Sequence, residues 1–226
     1  MSASQKIPNI FTAPNIDKDK ESTSRDVQIT TIYASFYIKF FTHYPVELKE
    51  MESLSYHKIH EMMTYWTAKF PELQTISATE ITRLRQEGHK IILIDVRGEA
   101  ERNVSVIASS ISVKEFEEMV KTSSSLAELQ DPSTIIVPYC AVGYRSGRFA
   151  RTLISNGFQN VRNSEGIILW TYTADKEGSL VDMKTGEATR KVHVLGPTWA
   201  LASPDYEMVS MSYLGVATYM LGYYIF

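Results

Sequence analysis

The sequence of 226 residues has only one cysteine, Cys140. A single thiol cannot form a disulfide within the chain, and it leaves Cys140 without a second cysteine to resolve an oxidised form. This cysteine usage is typical of reducing compartments, so we expect a cytoplasmic protein. The N-terminus has no apolar core of the kind found in signal peptides, and the acidic residues at 17–21 are not typical of a transit peptide.

Excess positive charge is also missing. The formal net charge is −3, and hydrophobic and charged residues make up 44% and 22% of the chain, as in ordinary globular proteins. We therefore expect no nucleic-acid partner. Charge is absent altogether from residues 208–226, which are apolar enough to suggest a membrane tail anchor. Because many of these residues are aromatic or small and polar, and no Lys or Arg flanks them, we favour a tail that folds onto the protein.

Composition changes along the chain and suggests four regions. Residues 1–26 are polar and contain prolines, which predicts a disordered lead. Apolar residues at helical spacing predict a mainly helical N-terminal extension over 27–72, although the first part, over 27–44, also fits the alternation of a strand. Residues 73–175 have the pattern of a separate domain, and 176–226 form a C-terminal extension that includes the apolar tail.

Short strands and helices alternate in the 73–175 region. Ser77 and Glu80 have the spacing of a capping box at a helix start, and uninterrupted apolar runs at 90–95 and 134–139 predict buried strands. This alternation predicts an open α/β domain with a parallel sheet. Ligands of such sheets bind at the carboxyl ends of the strands, where Asp95 and Cys140 lie.

Cys140 follows the second apolar run and precedes a predicted helix. Gly143, Arg145 and Ser146 come next, and Ser146 can cap a helix over 146–156. The unpaired N–H groups and the dipole of a helix N-terminus favour an anion, and a thiolate or a persulfide is such an anion. Cys140 is therefore a candidate nucleophile. The alternative is a structural cysteine, since free cysteines are often buried.

These motifs together resemble the rhodanese family of sulfurtransferases, over roughly residues 73–170. The resemblance rests on Ile76-Ser77, Ile94-Asp95-Val96-Arg97, the run from Tyr139 to Ser146, and Glu165-Gly166-Ile167 followed by Trp170. It implies a doubly wound parallel sheet, to which this chain adds the mainly helical N-terminal segment. It also implies that Cys140 is catalytic and carries a persulfide. The implied persulfide- and substrate-binding loop consists of Ala141, Val142, Gly143, Tyr144, Arg145 and Ser146.

Other residues of this pattern have supporting or open roles. We expect Asp95 and Arg97 to hold loops together through hydrogen bonds. Arg145 has two interpretations: it binds an anionic donor, or it structures the loop. No cysteine or fixed carboxylate completes a metal site with His57 and His60, so we expect neither a metal nor a cofactor.

The resemblance implies a sulfurtransferase that moves sulfane sulfur from thiosulfate or a persulfide to a thiol or cyanide. The partners would then be a small-molecule sulfur donor and a thiol acceptor, and a protein cysteine is a further candidate acceptor. A non-catalytic or redox-sensing regulatory module of the same fold is the alternative. A related arsenate or phosphoester enzyme is less favoured, because phosphatases of this fold use a longer loop than the six residues from Cys140 to Arg145.

Overall fold

A computed structural model describes residues 48–121, 123–173, 180–196 and 199–210. The predictions for the lead at 1–26, for residues 27–47 and for most of the tail concern residues outside this range. Within the described parts of the chain, no helix has the length and apolar character needed to cross a membrane.

The described residues form a mixed α/β structure. Its helices are α1 (Leu48–Thr67), α2 (Ala78–Gln86), α3 (Glu99–Arg102), α4 (Val113–Val120), α5 (Ser123–Leu129), α6 (Tyr144–Ser155) and α7 (Ile167–Trp170). Its strands are β1 (Gln74–Ile76), β2 (Ile91–Asp95), β3 (Val106–Ile107), β4 (Ile111–Ser112), β5 (Ile135–Tyr139), β6 (Arg162–Ser164), β7 (Leu180–Val181), β8 (Lys191–Val194) and β9 (Glu207–Ser210). The predicted fold class is confirmed, including a helix in the N-terminal extension.

Local sequence signals explain several element ends. Ser77 caps α2 by accepting the N–H of Glu80, as the capping box predicts. The side chain of Glu80 pairs with Arg83, one turn later. Of the two hydrogen bonds of a capping box, the described structure therefore has the one from the Glu80 N–H to Ser77. Gly88 follows α2 in the left-handed conformation, with φ +83°, which suits a residue without a Cβ.

The central strands are parallel and run in the order β1-β6-β5-β2-β4. β2 and β5 pair from Ile91 opposite Ile135 to Asp95 opposite Tyr139, and a bridge from Ile136 to Val161 brings β6 alongside β5. The chain leaves β2 for β4 on one side and returns to β5 on the other. The carboxyl ends of β2 and β5 therefore flank the point where the strand order reverses, which is the usual ligand site in such sheets.

β5 supplies the centre of the core. Its five residues are all buried, as the uninterrupted apolar run predicts for a strand covered on both faces. The fully buried side chains of Phe116, Leu153 and Phe158 lie on the elements around it. This packing fixes the end of β5, and with it the backbone that enters the Cys140 loop.

The segments that flank the central strands contact the helices and short strands around the sheet. Phe70, just after α1, lies against Gly147 of α6 so closely that an added Cβ would be 2.5 Å from its ring. On the C-terminal side, β7 pairs antiparallel with β3, and β8 pairs parallel with β9. The Thr171 hydroxyl also accepts the N–H of Ser203 at 2.9 Å. The described parts of both extensions thus pack against the elements around the sheet.

Candidate active site

The loop that begins at Cys140 is held by the start of α7. The N–H of Ile167 donates to the carbonyl of Cys140 at 2.8 Å, and that of Ile168 donates to the carbonyl of Ala141 at 3.3 Å. Gly166 has φ +99°, and an added Cβ would lie 2.4 Å from the Ala141 carbonyl oxygen. Only glycine permits this approach, so Glu165-Gly166-Ile167 acts as a clamp on the loop backbone.

Two donors converge on the sulfur. The N–H of Gly143 lies 3.2 Å from Sγ of Cys140, and the hydroxyl of Ser146 donates to the same sulfur at 3.5 Å. Gly143 has φ +88°, which turns the chain back over the sulfur, and Asn163 fixes that turn by donating to the Gly143 carbonyl at 2.9 Å. This arrangement can stabilise negative charge on a sulfur.

The helix after the loop begins earlier than the serine predicts. α6 starts at Tyr144 with Gly143 in the cap position, so the expectation that Ser146 caps it is wrong. Serine is a common cap, but here a glycine that tolerates positive φ makes the turn and leaves Ser146 inside the first helical turn. Its hydroxyl is then available to the sulfur.

The Cys140 thiol is enclosed. Cys140 is only 1% exposed, Ala141 and Val142 are also buried, and Tyr144 and Arg145 are partly buried. Tyr144 itself packs against the ring of Trp66 at 4.9 Å and that of Phe70 at 5.7 Å. The sulfur is therefore largely shielded from solvent.

Arg145 pairs with a buried carboxylate. Its two Nη atoms donate to Oε2 and Oε1 of Glu101 at 2.6 and 2.8 Å. Burial opposes the charge of Glu101, but the hydrogen bonds and charge of Arg145, with Arg97 and His193, lower its pKa to about 2. No sequence motif singles out Glu101. The sequence shows only that this acidic residue follows shortly after Arg97.

Asp95 and Arg97 form a second buried pair at the end of β2. Nε and Nη2 of Arg97 donate to the two carboxylate oxygens of Asp95 at 3.0 and 2.8 Å. Nη2 also donates to the carbonyl of Ser105 at 2.7 Å, and the hydroxyl of Tyr139 donates to Asp95 at 2.7 Å. Burial opposes the guanidinium charge, yet the neighbouring Asp95 raises the pKa of Arg97. The pair ties the ends of β2 and β5 to the β3 segment, which fits a supporting role.

A histidine from the C-terminal extension reaches the same cluster. His193 on β8 is 4% exposed, and its Nδ1 lies 3.9 Å from Oε1 of Glu101. Burial lowers the pKa of His193, and the charges of Arg97 and Arg145 lower it further, against the effect of Glu101. The sequence offers no signal for this contact, because His193 lies far from the loop along the chain.

In the described part of the chain, no group of three or more His, Cys, Asp or Glu side chains is arranged so that it could hold a metal ion. His57 and His60 are exposed on α1, and the rings of both contact Tyr56.

Comparison with known proteins identifies the central part of the chain. The model of the rhodanese-like domain matches residues 77–169, which contain the β2 end, the Cys140 loop and the Gly166 clamp. Residues 77–169 form a rhodanese-like domain. The matched range ends before β7, β8 and β9 and begins after α1.

Several solved structures are similar to part of this chain. A rhodanese-like protein from Staphylococcus aureus is 23% identical over 43% of this chain and 91% of its own, with a TM-score of 0.34. A thiosulfate sulfurtransferase from Pseudomonas aeruginosa is 26% identical, with a TM-score of 0.39, over 49% of this chain but 21% of its own. A human single-domain sulfurtransferase is 24% identical over 41% of this chain and 88% of its own, with a TM-score of 0.33. No curated protein was found to match.

Proposed function

We propose that the chain is a sulfurtransferase in which Cys140 carries the transferred sulfur. The observation that supports this most directly is the convergence of the Gly143 N–H and the Ser146 hydroxyl on Sγ at the N-terminus of α6. A purely structural cysteine has no need of hydrogen-bond donors aimed at its sulfur. Donors in this position stabilise a thiolate before transfer and a persulfide anion after it.

The reaction divides into two displacements. The Cys140 thiolate attacks the outer sulfur of thiosulfate, forming the Cys140 S–S bond and breaking the sulfur–sulfur bond of the donor, whose electron pair leaves with sulfite. An acceptor such as cyanide or a thiolate then attacks the outer sulfur of the persulfide. The Cys140 thiolate leaves with its electron pair, and thiocyanate or a new persulfide is released. No external oxidant or reductant is required.

The chain's own residues hold the sulfur rather than move protons. Gly143 and Ser146 donate to the reacting sulfur, while the Glu101 carboxylate fixes the Arg145 guanidinium beside the loop. Small sulfur donors and thiol acceptors are the partners that this site would need, and a protein cysteine is a further candidate acceptor.

The enclosure of the thiol favours a second candidate function. A thiol that is 1% exposed suits a regulatory or redox-sensing module, in which Cys140 is oxidised slowly and does not turn over. The two functions differ in turnover. A sulfurtransferase releases the sulfur that Cys140 accepts, whereas the regulatory module does not turn over.

Turnover with thiosulfate and cyanide separates the two functions. The full chain should release thiocyanate continuously, and Cys140→Ser should release none. Ser155→Ala is the matched control, because the Ser155 hydroxyl donates to a backbone carbonyl on the same helix, away from the sulfur. Thiocyanate absent from the full chain, with peroxide still oxidising Cys140, would support the regulatory module instead.

A further inference from the structure

His193 is the one titratable side chain of the C-terminal extension shown to contact the loop's buried ion pair. It belongs to β8, beyond the residues 77–169 of the rhodanese-like domain. Its side chain is 4% exposed, and Nδ1 has no hydrogen-bond partner among the described residues. Oε1 of Glu101 lies 3.9 Å from Nδ1 and is the oxygen that accepts the hydrogen bond from Nη2 of Arg145.

Charged groups face His193 from the elements around it. Glu101 comes from α3, Arg97 from the turn after β2 and Arg145 from α6, and all three interact electrostatically with the imidazole. The neighbouring α7 contributes only apolar side chains, and Val209 lies opposite His193 on β9. On its own strand, Lys191 pairs at the surface with Glu207.

We propose that His193 determines donor specificity: when its imidazole gains a proton, the Cys140 loop prefers anionic sulfur donors, such as thiosulfate, over neutral ones. This inference rests on the proposed function.

The charge balance of the cluster explains the effect. Arg145 pairs with Glu101, while Arg97 and Arg102 both lie against Asp95, so each of these buried carboxylates already faces a guanidinium while His193 is neutral. A proton on His193 adds one positive charge to this cluster. Because the site is buried and little screened by solvent, that charge attracts an anion held at the loop.

The Glu101 carboxylate carries the effect to the loop. A protonated His193 aims Nδ1–H at Oε1 and draws carboxylate charge away from Arg145. The Arg145 guanidinium then retains more positive charge for a donor anion. Burial lowers the pKa of His193, so the imidazole is neutral near pH 7 and gains its proton only below its ordinary pKa of 6.5.

Coupling between two sites is reciprocal, so an anion bound at the loop should favour protonation of His193 by the same factor. Thiosulfate binding can be measured without reaction in the full chain carrying Cys140→Ser. Between about pH 7.5 and about pH 5, affinity should rise on the order of fivefold, the low end of typical coupling between sites. Adding His193→Gln should remove that rise.

His89→Gln is the matched control, since His89 is an exposed histidine paired with Glu87 away from the loop. The control should keep the full pH dependence. Equal pH dependence with and without His193 would overturn the proposal.

A second measurement does not require the His193 variant to fold. In the Cys140→Ser chain, saturating thiosulfate should raise the pH midpoint of the His193 ring resonance, and an unmoved midpoint would overturn the proposal.

Persulfide loading of the unmodified chain distinguishes failure of the proposed function from failure of the His193 role alone. If no persulfide forms at any pH, the proposed function and the role of His193 both fail. If persulfide forms but His193→Gln leaves the pH dependence of thiosulfate loading unchanged, only the role of His193 fails.

Discussion

At the scale of single residues, the Cys140 loop depends on groups that do not touch the sulfur. Arg145 lies in the loop motif, but its orientation is set by Glu101, which is buried 44 residues earlier in the chain. A guanidinium with 13% of its side chain exposed needs such a counterion, because an unmatched buried charge is costly. Glu101 thus links the sequence around Asp95 to the loop around Cys140.

Glu101→Gln should destabilise the fold by about 3 kcal/mol, because it leaves the Arg145 charge without its buried partner. Urea unfolding of the full chain measures the change. Glu118→Gln, which breaks an exposed pair with Lys121, should change stability little and serves as the control. Equal effects of the two substitutions would show that the Glu101 pair contributes no more than a surface pair.

The hydroxyl of Ser146 should affect reactivity more than stability. Ser146→Ala removes one of the two donors to Sγ, so we expect a several-fold slower reaction of Cys140 with iodoacetamide and a stability loss of about 1 kcal/mol. Ser155→Ala on the same helix should leave the alkylation rate unchanged. An unchanged rate in Ser146→Ala would mean that the hydroxyl does not stabilise the thiolate.

At the scale of elements, the loop is shaped by two glycines with positive φ. Gly143 turns the chain over the sulfur at the start of α6, and Gly166 lets the start of α7 approach the loop backbone. The strand, loop and helix N-terminus therefore form one unit that only these backbone conformations permit.

Gly166→Ala should be far more disruptive than Gly88→Ala. Both glycines have positive φ, so each alanine is strained by about 1–2 kcal/mol, but space at Gly88 is open. At Gly166 the new Cβ would lie 2.4 Å from a backbone oxygen of Ala141, which cannot move without displacing the loop. Thermal unfolding should show a much larger loss for Gly166→Ala, and equal losses would contradict the clamp.

At the scale of the whole molecule, the described structure is larger than the rhodanese-like domain. The aromatic end of the N-terminal extension lies against Tyr144 of the loop, while β8 brings His193 to the Glu101–Arg145 pair. The described part of the N-terminal extension therefore packs against the loop, and that of the C-terminal extension places a titratable side chain beside the ion pair of the loop.

Stability should fall with acidification in two steps. The folded state keeps His193 neutral, so below its ordinary pKa of 6.5 the unfolded chain binds a proton first and stability declines. Below about pH 4.5 the unfolded chain also protonates Glu101, whose pKa in the folded state is about 2, and stability declines further. Urea unfolding across this range measures both steps, and His193→Gln should remove the first. A variant with the same decline as the unmodified chain would exclude His193 as its source.

The sequence predicts local features well and distant contacts poorly. The apolar run at 134–139 predicts β5, and the motif around Cys140 predicts a loop before a helix, because both signals are contiguous. The pairing of Glu101 with Arg145 and the approach of His193 depend on the sheet order and on an extension that no local pattern encodes. The run of serines at 123–125 has the composition of a loop, yet α5 begins at Ser123 and continues through the helix-favouring residues Leu126, Ala127 and Glu128.

Whether Cys140 accepts a sulfur atom can be measured from the intact mass of the full chain after incubation with thiosulfate. We expect a gain of one sulfur atom that disappears on addition of cyanide and never forms in Cys140→Ser. An unchanged mass, with the thiol still free to react with an alkylating agent after unfolding, would contradict it.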